Sequence, residues 1–288
     1  MRKSIKTTAV MALAASMTVG MMTGCGDSSS VADKNITVVS REDGSGTRSA
    51  FAELMGIMVD EVDKKITTAE LTNSTSVMTT SVEGNDAAIG YVSLGSLSDT
   101  VKAVSVDGVE PTVENIKAGK YKVSRPFNIA TKDDLSEIAS DFVDFLLSDE
   151  GQKIITDEGY ISTESGTSYT ATKLSGTVTL AGSTSVAPVM EVLAEEYMSL
   201  NPDITVEIQQ SGSSAGMTST IQGACDIGMA SRDVKESEMA EGLTQTTIAM
   251  DGIAVIINKD NEVKDLTSEQ IMKIYLGEIT KWSDVTKK

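Results

Sequence analysis

Apolar and polar positions alternate along this chain in a repeated strand, turn and helix rhythm. Ile36-Thr37-Val38-Val39 is an apolar, β-branched run that reads as a buried strand. Ala50, Phe51, Leu54, Met55 and Met58 follow at helical spacing. Residues 87–92 and 101–106 read as further strands, 112–117 as a short helix stopped by Gly119, and 125–130 as an extended segment. Leu135, Ile138, Ala139, Phe142 and Leu146 mark an amphipathic helix, and a second short helix runs towards Gly159. Residues 162–176 are polar and patternless, which predicts a linker.

The rhythm then resumes. Residues 178–181 form a strand, and a helix with Pro188 in its first turn carries Val189, Val192, Leu193, Tyr197 and Leu200 on one stripe. Residues 204–210 and 226–230 are strands on either side of a helix with Met217 and Ile221. The long apolar run 248–258 is long enough to cross between two domains. Thr267-Ser268-Glu269-Gln270 is a capping box, and Ile271, Ile274 and Tyr275 follow it at helix spacing.

Three of the turns share a chemistry. They are Arg41-Glu42-Asp43-Gly44-Ser45-Gly46-Thr47-Arg48, Gly182-Ser183-Thr184-Ser185 and Ser211-Gly212-Ser213-Ser214-Ala215-Gly216. Each is rich in Ser, Thr and Gly and opens a helix. Alone, each reads as an ordinary N-cap. Together they place three helix N-termini, with free N–H groups and partial positive charge, at the carboxyl ends of strands. Arg41 adds a guanidinium fork suited to a tetrahedral oxyanion. Asn73-Ser74-Thr75-Ser76 reads first as a cap or loop, and less as another polar group at the same cleft.

The 288 residues suffice for one large or two ordinary domains. A net charge of −18 makes nucleic acid and anionic membrane surfaces poor partners. An anion must therefore be held by local dipoles and one or two cations. The chain has no His, which excludes Ser-His-Asp triads and His-bearing zinc sites. It has two Cys, so no disulfide framework; Cys225 reads as a buried small hydrophobe. Residues 1–25 form an export signal, with Arg2, Lys3 and Lys6 before an apolar core, and 26–33 a tether.

Several motifs carry a family resemblance. Met22-Thr23-Gly24-Cys25 is similar to the end of a bacterial lipoprotein signal, with Cys25 the lipidated residue. The three turns, with Ala230-Ser231-Arg232 and Met250-Asp251-Gly252-Ile253-Ala254-Val255, resemble the phosphate-binding lipoproteins of bacterial phosphate ABC transporters over nearly the whole mature chain. The order differs from the usual member. There the Gly-Ser-Thr turn comes first and the Arg-x-Asp-Gly-Ser-Gly-Thr turn later, so this order looks like a circular permutation, which should leave Asn35 and Lys288 as neighbours.

The resemblance implies an α/β, two-lobed periplasmic-binding-protein-like fold of type II, with the ligand in the interlobe cleft. Residues 34–123 and 253–288 would form one lobe and 124–252 the other, hinged near 122–126 and 250–255. Inorganic phosphate would be the ligand, with no cofactor, metal or catalytic residue. Its contacts would be Arg41, Asp43, Ser45, Gly46, Thr47, Thr184, Ser185 and Ser214. Some relatives have Asp where Arg232 stands and use it to accept the phosphate proton; here Asp43 could hold Arg41, take that proton, or both. The partners would be an ABC permease with its ATPase and, through the lipid on Cys25, the outer face of the cell membrane. The protein would be a monomer. Rival readings are a receptor for sulfate, molybdate or tungstate, a serine hydrolase or phosphatase built on a Ser-Lys pair, and a phosphate-sensing surface lipoprotein.

Overall fold

Most of the apolar runs become strands of one sheet, and helices cover its faces. The computed structural model describes residues 30–59, 62–65, 68–163 and 166–285. The export signal, Cys25, most of the tether and Lys288 lie outside them. The main strands of the sheet are β1 (Thr37–Arg41), β2 (Glu70–Thr72), β3 (Ala88–Ser93), β4 (Ser124–Thr131), β5 (Gly176–Gly182), β6 (Ile204–Gln210), β7 (Ile227–Ala230) and β8 (Thr244–Asn258). Their order across the sheet is β6-β5-β7-β4-β8-β3-β1-β2.

Two parallel groups flank an antiparallel centre. β1 runs parallel to β2 and β3, and β5 runs parallel to β6 and β7. β4 and β8 lie antiparallel to each other between the groups, β4 against β7 and β8 against β3. β8 is 15 residues long. Its first half pairs with β4, with a register shift between Thr247 and Ala249, and its second half with β3. The apolar run at 248–258 is thus the inner part of one strand shared by both groups.

Two large hydrophobic cores follow from this layout, with a small third cluster around Met217 and Leu243. One takes buried side chains between Val38 and Val123 and again between Ile253 and Val285. The other takes them between Phe127 and Ala249. In the first core Phe51 stacks on Tyr91 at 4.0 Å, with Tyr275 edge-on at 5.0 Å. The indole of Trp282 donates to the Ala87 carbonyl at 2.9 Å. Asn35 and Lys281 form a bridge, and the Ile36 amide donates to Thr280. The first strand and the last helical turns of the described chain are therefore packed side by side.

Some local expectations shift. The first helix is α1 (Gly46–Leu54), and the chain reverses at Gly56, φ 68°. Met58 then belongs to a short strand, Met58–Val59, so its helical spacing was coincidental. Leu200 ends its helix 39% exposed, off the buried stripe. The patternless segment is tied down by single side chains. The Tyr169 hydroxyl donates to Asp141 at 2.7 Å and accepts from Asn201 at 2.9 Å, and its ring meets Phe145 edge-on. One anchoring tyrosine has no period, so no pattern reports it.

Candidate functional site

Parallel strands carry their connections at one end, and here those ends meet. β1 ends at Arg41 and leads into α1. β2 leads into α2 (Thr75–Glu83), capped by Ser74. β5 leads through 183–185 into α3 (Ala187–Leu200), β6 into α4 (Ser213–Ile221), and β7 ends at Ala230, just before Ser231. These connections come from both cores and face one another across the crossing of β4 and β8.

The capping reading separates the three turns. Ser45 is a true cap, accepting from the Arg48 amide at 3.3 Å. The helix after 183–185 has no side-chain cap, and neither has the one after Gly212. The hydroxyls of those two turns meet Ser231, Arg232 and side chains that come from the first core. The Ser183 hydroxyl donates to Ser231 at 2.9 Å, and Thr47 and Ser185 share a hydrogen bond at 2.8 Å. Ser213 lies 3.4 Å and Thr47 3.5 Å from the Ser231 oxygen. Ser183, Ser185, Ser213, Ser231 and Thr47 are all buried. A ring of buried hydroxyls is adaptable, since each can donate or accept.

Arg41 closes one side of this ring. It is 2% exposed. Its Nη2 donates to the Thr184 hydroxyl at 3.0 Å, and Nε and Nη2 each donate to Glu42 at 2.8 Å. Thr75 adds a fourth side: its hydroxyl lies 3.3 Å from that of Ser185 and 3.5 Å from Arg41 Nη1. The end of β1 is pinned from behind by Tyr91, whose hydroxyl shares a 2.9 Å bond with Ser40 and accepts from the Arg41 amide. Burial pushes that phenol up to about 12, against the pull of these hydrogen bonds, so it stays a neutral donor. Gly46 brings α1 against the ring. A Cβ there would lie 2.4 Å from the Ser213 oxygen and 2.7 Å from that of Ser231. Beside the ring a cavity of ≈ 250 Å³ is lined mostly by Ser and Thr, Thr75 and Thr184 among them, with Pro188 and Gln210.

Of the residues expected here, the structure gathers Arg41, Gly46, Thr47, Thr184 and Ser185, while the Ser45 hydroxyl caps α1. Asp43 is a correction. Its side chain is 94% exposed and paired with Arg48, away from Arg41 and the ring. Gly44, φ 89°, reverses the chain just after it and leaves its carboxylate outside. The carboxylate on Arg41 belongs to Glu42. Arg48 is held by Asp63 and Asp43, which outweigh its burial and raise its pKa. Ser214 is displaced by one residue from the ring: its hydroxyl accepts from Arg232 at 3.2 Å and its amide donates to Gly44 at 3.1 Å. Ser213 takes the inner place. Arg232 is clamped by Glu238 at 2.7 and 2.9 Å. Among the described residues no cluster of His, Cys, Asp and Glu could hold a metal ion, and no helix is long and apolar enough to cross a membrane.

Ser183, Ser213, Ser231 and Glu42 were not expected at the site, and Thr75 only as the lesser reading of the stretch 73–76. Ser183, Ser213 and Glu42 each sit beside an expected residue and Ser231 lies in the Ala230-Ser231-Arg232 motif, so the signal was present and the aim of each side chain was not.

Comparisons with known proteins agree with this layout. A family model described as "PBP superfamily domain" matches residues 19–150 and 167–288. A Streptococcus agalactiae protein named "Phosphate-binding protein PstS 2" is 48% identical over 292 residues, covering 99% of this chain and 100% of that one. A protein of the same name from Streptococcus pneumoniae is 41% identical over 273 residues, covering 92% of this chain and 94% of that one. The crystal structure of a phosphate ABC transporter phosphate-binding protein from Streptococcus pneumoniae has a TM-score of 0.71 and 41% identity, covering 88% of this chain and all of that one. The architecture is the two-lobed α/β fold of type II periplasmic binding proteins. Matched along most of its length by the superfamily model and from end to end by the streptococcal relative, the chain belongs to the PBP superfamily and, within it, to the PstS family.

Proposed function

We propose that this protein is an extracytoplasmic receptor that binds inorganic phosphate between its lobes and delivers it to an ABC permease driven by an ATPase. The observation that carries the reading is the ring itself. Buried hydroxyls from Thr47, Thr184, Ser185, Ser213 and Ser231, with free helix N-termini and the Arg41 fork, converge on one point from both cores. Such a set suits a small tetrahedral oxyanion rich in acceptors. Lobes built from 34–123 plus 253–288 and from 124–252 would close on it, because the ligand touches both. Cys25, lipidated, would hold the monomer at the outer face of the cell membrane. Glu42, whose two oxygens both accept from Arg41, offsets that cation and so disfavours a fully ionised dianion such as sulfate relative to an anion still bearing a proton.

Calorimetric titration of the purified protein with phosphate, sulfate and molybdate tests this. Phosphate should bind most tightly. No heat with phosphate, or equal affinity for all three anions, would refute the assignment.

A further inference from the structure

A buried ion pair lies behind the ring and has no place in it. Arg125 on β4 and Asp251 on β8 are register partners at the point where β8 passes from one core to the other. They are 2% and 1% exposed. Arg125 Nε and Nη2 donate to one Asp251 oxygen at 3.3 and 3.1 Å, and the Ser93 hydroxyl donates to the other at 2.9 Å. The guanidinium rests over the Phe127 ring at 5.4 Å. Its remaining nitrogen, Nη1, donates to the Ser231 carbonyl at 3.2 Å.

Taking two charges out of water costs several kcal/mol each, and an apolar pair often serves the fold as well or better. Stability alone is therefore a weak reason for this pair. Its third contact supplies another. Ser231 carries the hydroxyl on which Ser183, Ser213 and Thr47 converge. Asn128 Nδ2 holds the next carbonyl, that of Arg232, at 3.0 Å and the Ser231 amide donates to Ser213 at 3.2 Å; Arg125 adds a charged donor on the Ser231 carbonyl itself.

We propose that Arg125 is a positioning residue for the anion site: gripped by Asp251 and Ser93, it fixes the Ser231 carbonyl and with it the Ser231 hydroxyl at the centre of the ring. Arg125 touches no ligand. It acts through Ser231, from the strand crossing about which the lobes would move. This rests on the phosphate reading of the ring.

The test compares phosphate titrations of the full chain. Arg125→Met/Asp251→Leu replaces the pair by apolar groups of similar size and leaves no buried charge. It should bind phosphate about tenfold more weakly while melting no lower than the unaltered protein, since only the hold on Ser231 is lost. Arg125→Lys keeps a charge for Asp251 but cannot reach both partners with one ammonium. Its affinity should fall between the two, a partial rescue that a purely structural pair would not produce. If the double variant does not fold, Arg125→Lys decides alone: an affinity equal to that of the unaltered protein overturns the proposal. So does a folded double variant with unchanged affinity. An unaltered protein that takes up no phosphate overturns the functional reading, and this inference with it.

Discussion

Removing Arg41 is the most direct test of the ring. In Arg41→Ala the guanidinium that reaches Thr184 is lost from a cleft where it was 2% exposed. A charge-assisted hydrogen bond to a buried group is worth about 1.5–3 kcal/mol. A second effect has the same sign. Glu42 held its charge against Arg41 through two 2.8 Å contacts, and without them a bare carboxylate stands beside the bound anion. The sum is at least ~2 kcal/mol, or about a thirtyfold loss of affinity.

The fold should survive, because the Glu42 side chain is 28% exposed and water can take over its solvation. Calorimetry with phosphate reads the loss directly, and thermal melts with and without phosphate read it through ligand linkage. Arg41→Ala/Glu42→Gln separates the two effects: removing the stranded charge should restore part of the affinity. Unchanged phosphate binding in Arg41→Ala, with the unaltered protein binding normally, would refute the placement of Arg41 at the ligand.

Three further outcomes follow from the same geometry and a fourth from the signal sequence. Gly46→Ala puts a methyl group 2.4 Å from the Ser213 oxygen, so phosphate affinity should fall at least about tenfold while the melting temperature without phosphate changes little; a folded variant with normal affinity would contradict the close approach. Asp43→Asn should leave phosphate and sulfate binding unchanged, because its carboxylate faces Arg48 and solvent; a selective loss of phosphate would return Asp43 to the site. Cys25→Ser should release the protein from membranes or leave its precursor uncleaved, and normal processing with membrane retention would argue against lipidation. Burial pushes Asp251 up to about 6, with Arg125 and Ser93 pulling it down and Tyr121 and Tyr160 facing it as neutral phenols. The folded form therefore holds its proton to higher pH than the unfolded chain, so this group's contribution to stability falls as pH rises from about 4 to about 6. Urea unfolding at both ends of that window should show this slope in the unaltered protein and not in Asp251→Asn; parallel curves would refute it.

What the sequence disclosed follows from which signals are local. The alternation of strands and helices was legible because burial imposes a period of two or 3.6 on nearby residues. The capping box at Thr267 and Gln270 was legible because both partners lie within one turn, and the structure forms both of its bonds. The three hydroxyl-rich turns were legible as a composition. Which hydroxyl of each turn faces inward was not. At a helix start one residue's step turns the side chain by nearly a third of a circle, so choosing Ser214 over Ser213 misses the ring. Asp43 and Glu42 differ in the same way, and only the reversal at Gly44 decides between them. Arg125 and Asp251 lie 126 residues apart, and a register two strands wide brings them together. No window along the sequence reports such a pair.

The placement of charge explains how a protein with net charge −18 can be built around an anion. Four arginines lie in or around the ring, and each has its own carboxylate: Arg41 has Glu42, Arg48 has Asp63 and Asp43, Arg125 has Asp251, and Arg232 has Glu238. The ring itself is therefore close to neutral, and at physiological salt the field of the distant acidic surface fades over about 8 Å. In the proposed site, attraction would come from oriented hydroxyls, helix N-termini and the free edge of paired guanidiniums. These act only over hydrogen-bond distances, and they act in a dry setting where such contacts are strongest. A site of this kind distinguishes anions by the number and direction of their acceptors and by whether a proton remains, rather than by total charge. Pairing every cation also keeps the empty cleft from holding unbalanced buried charge, which would otherwise oppose closure before a ligand arrives.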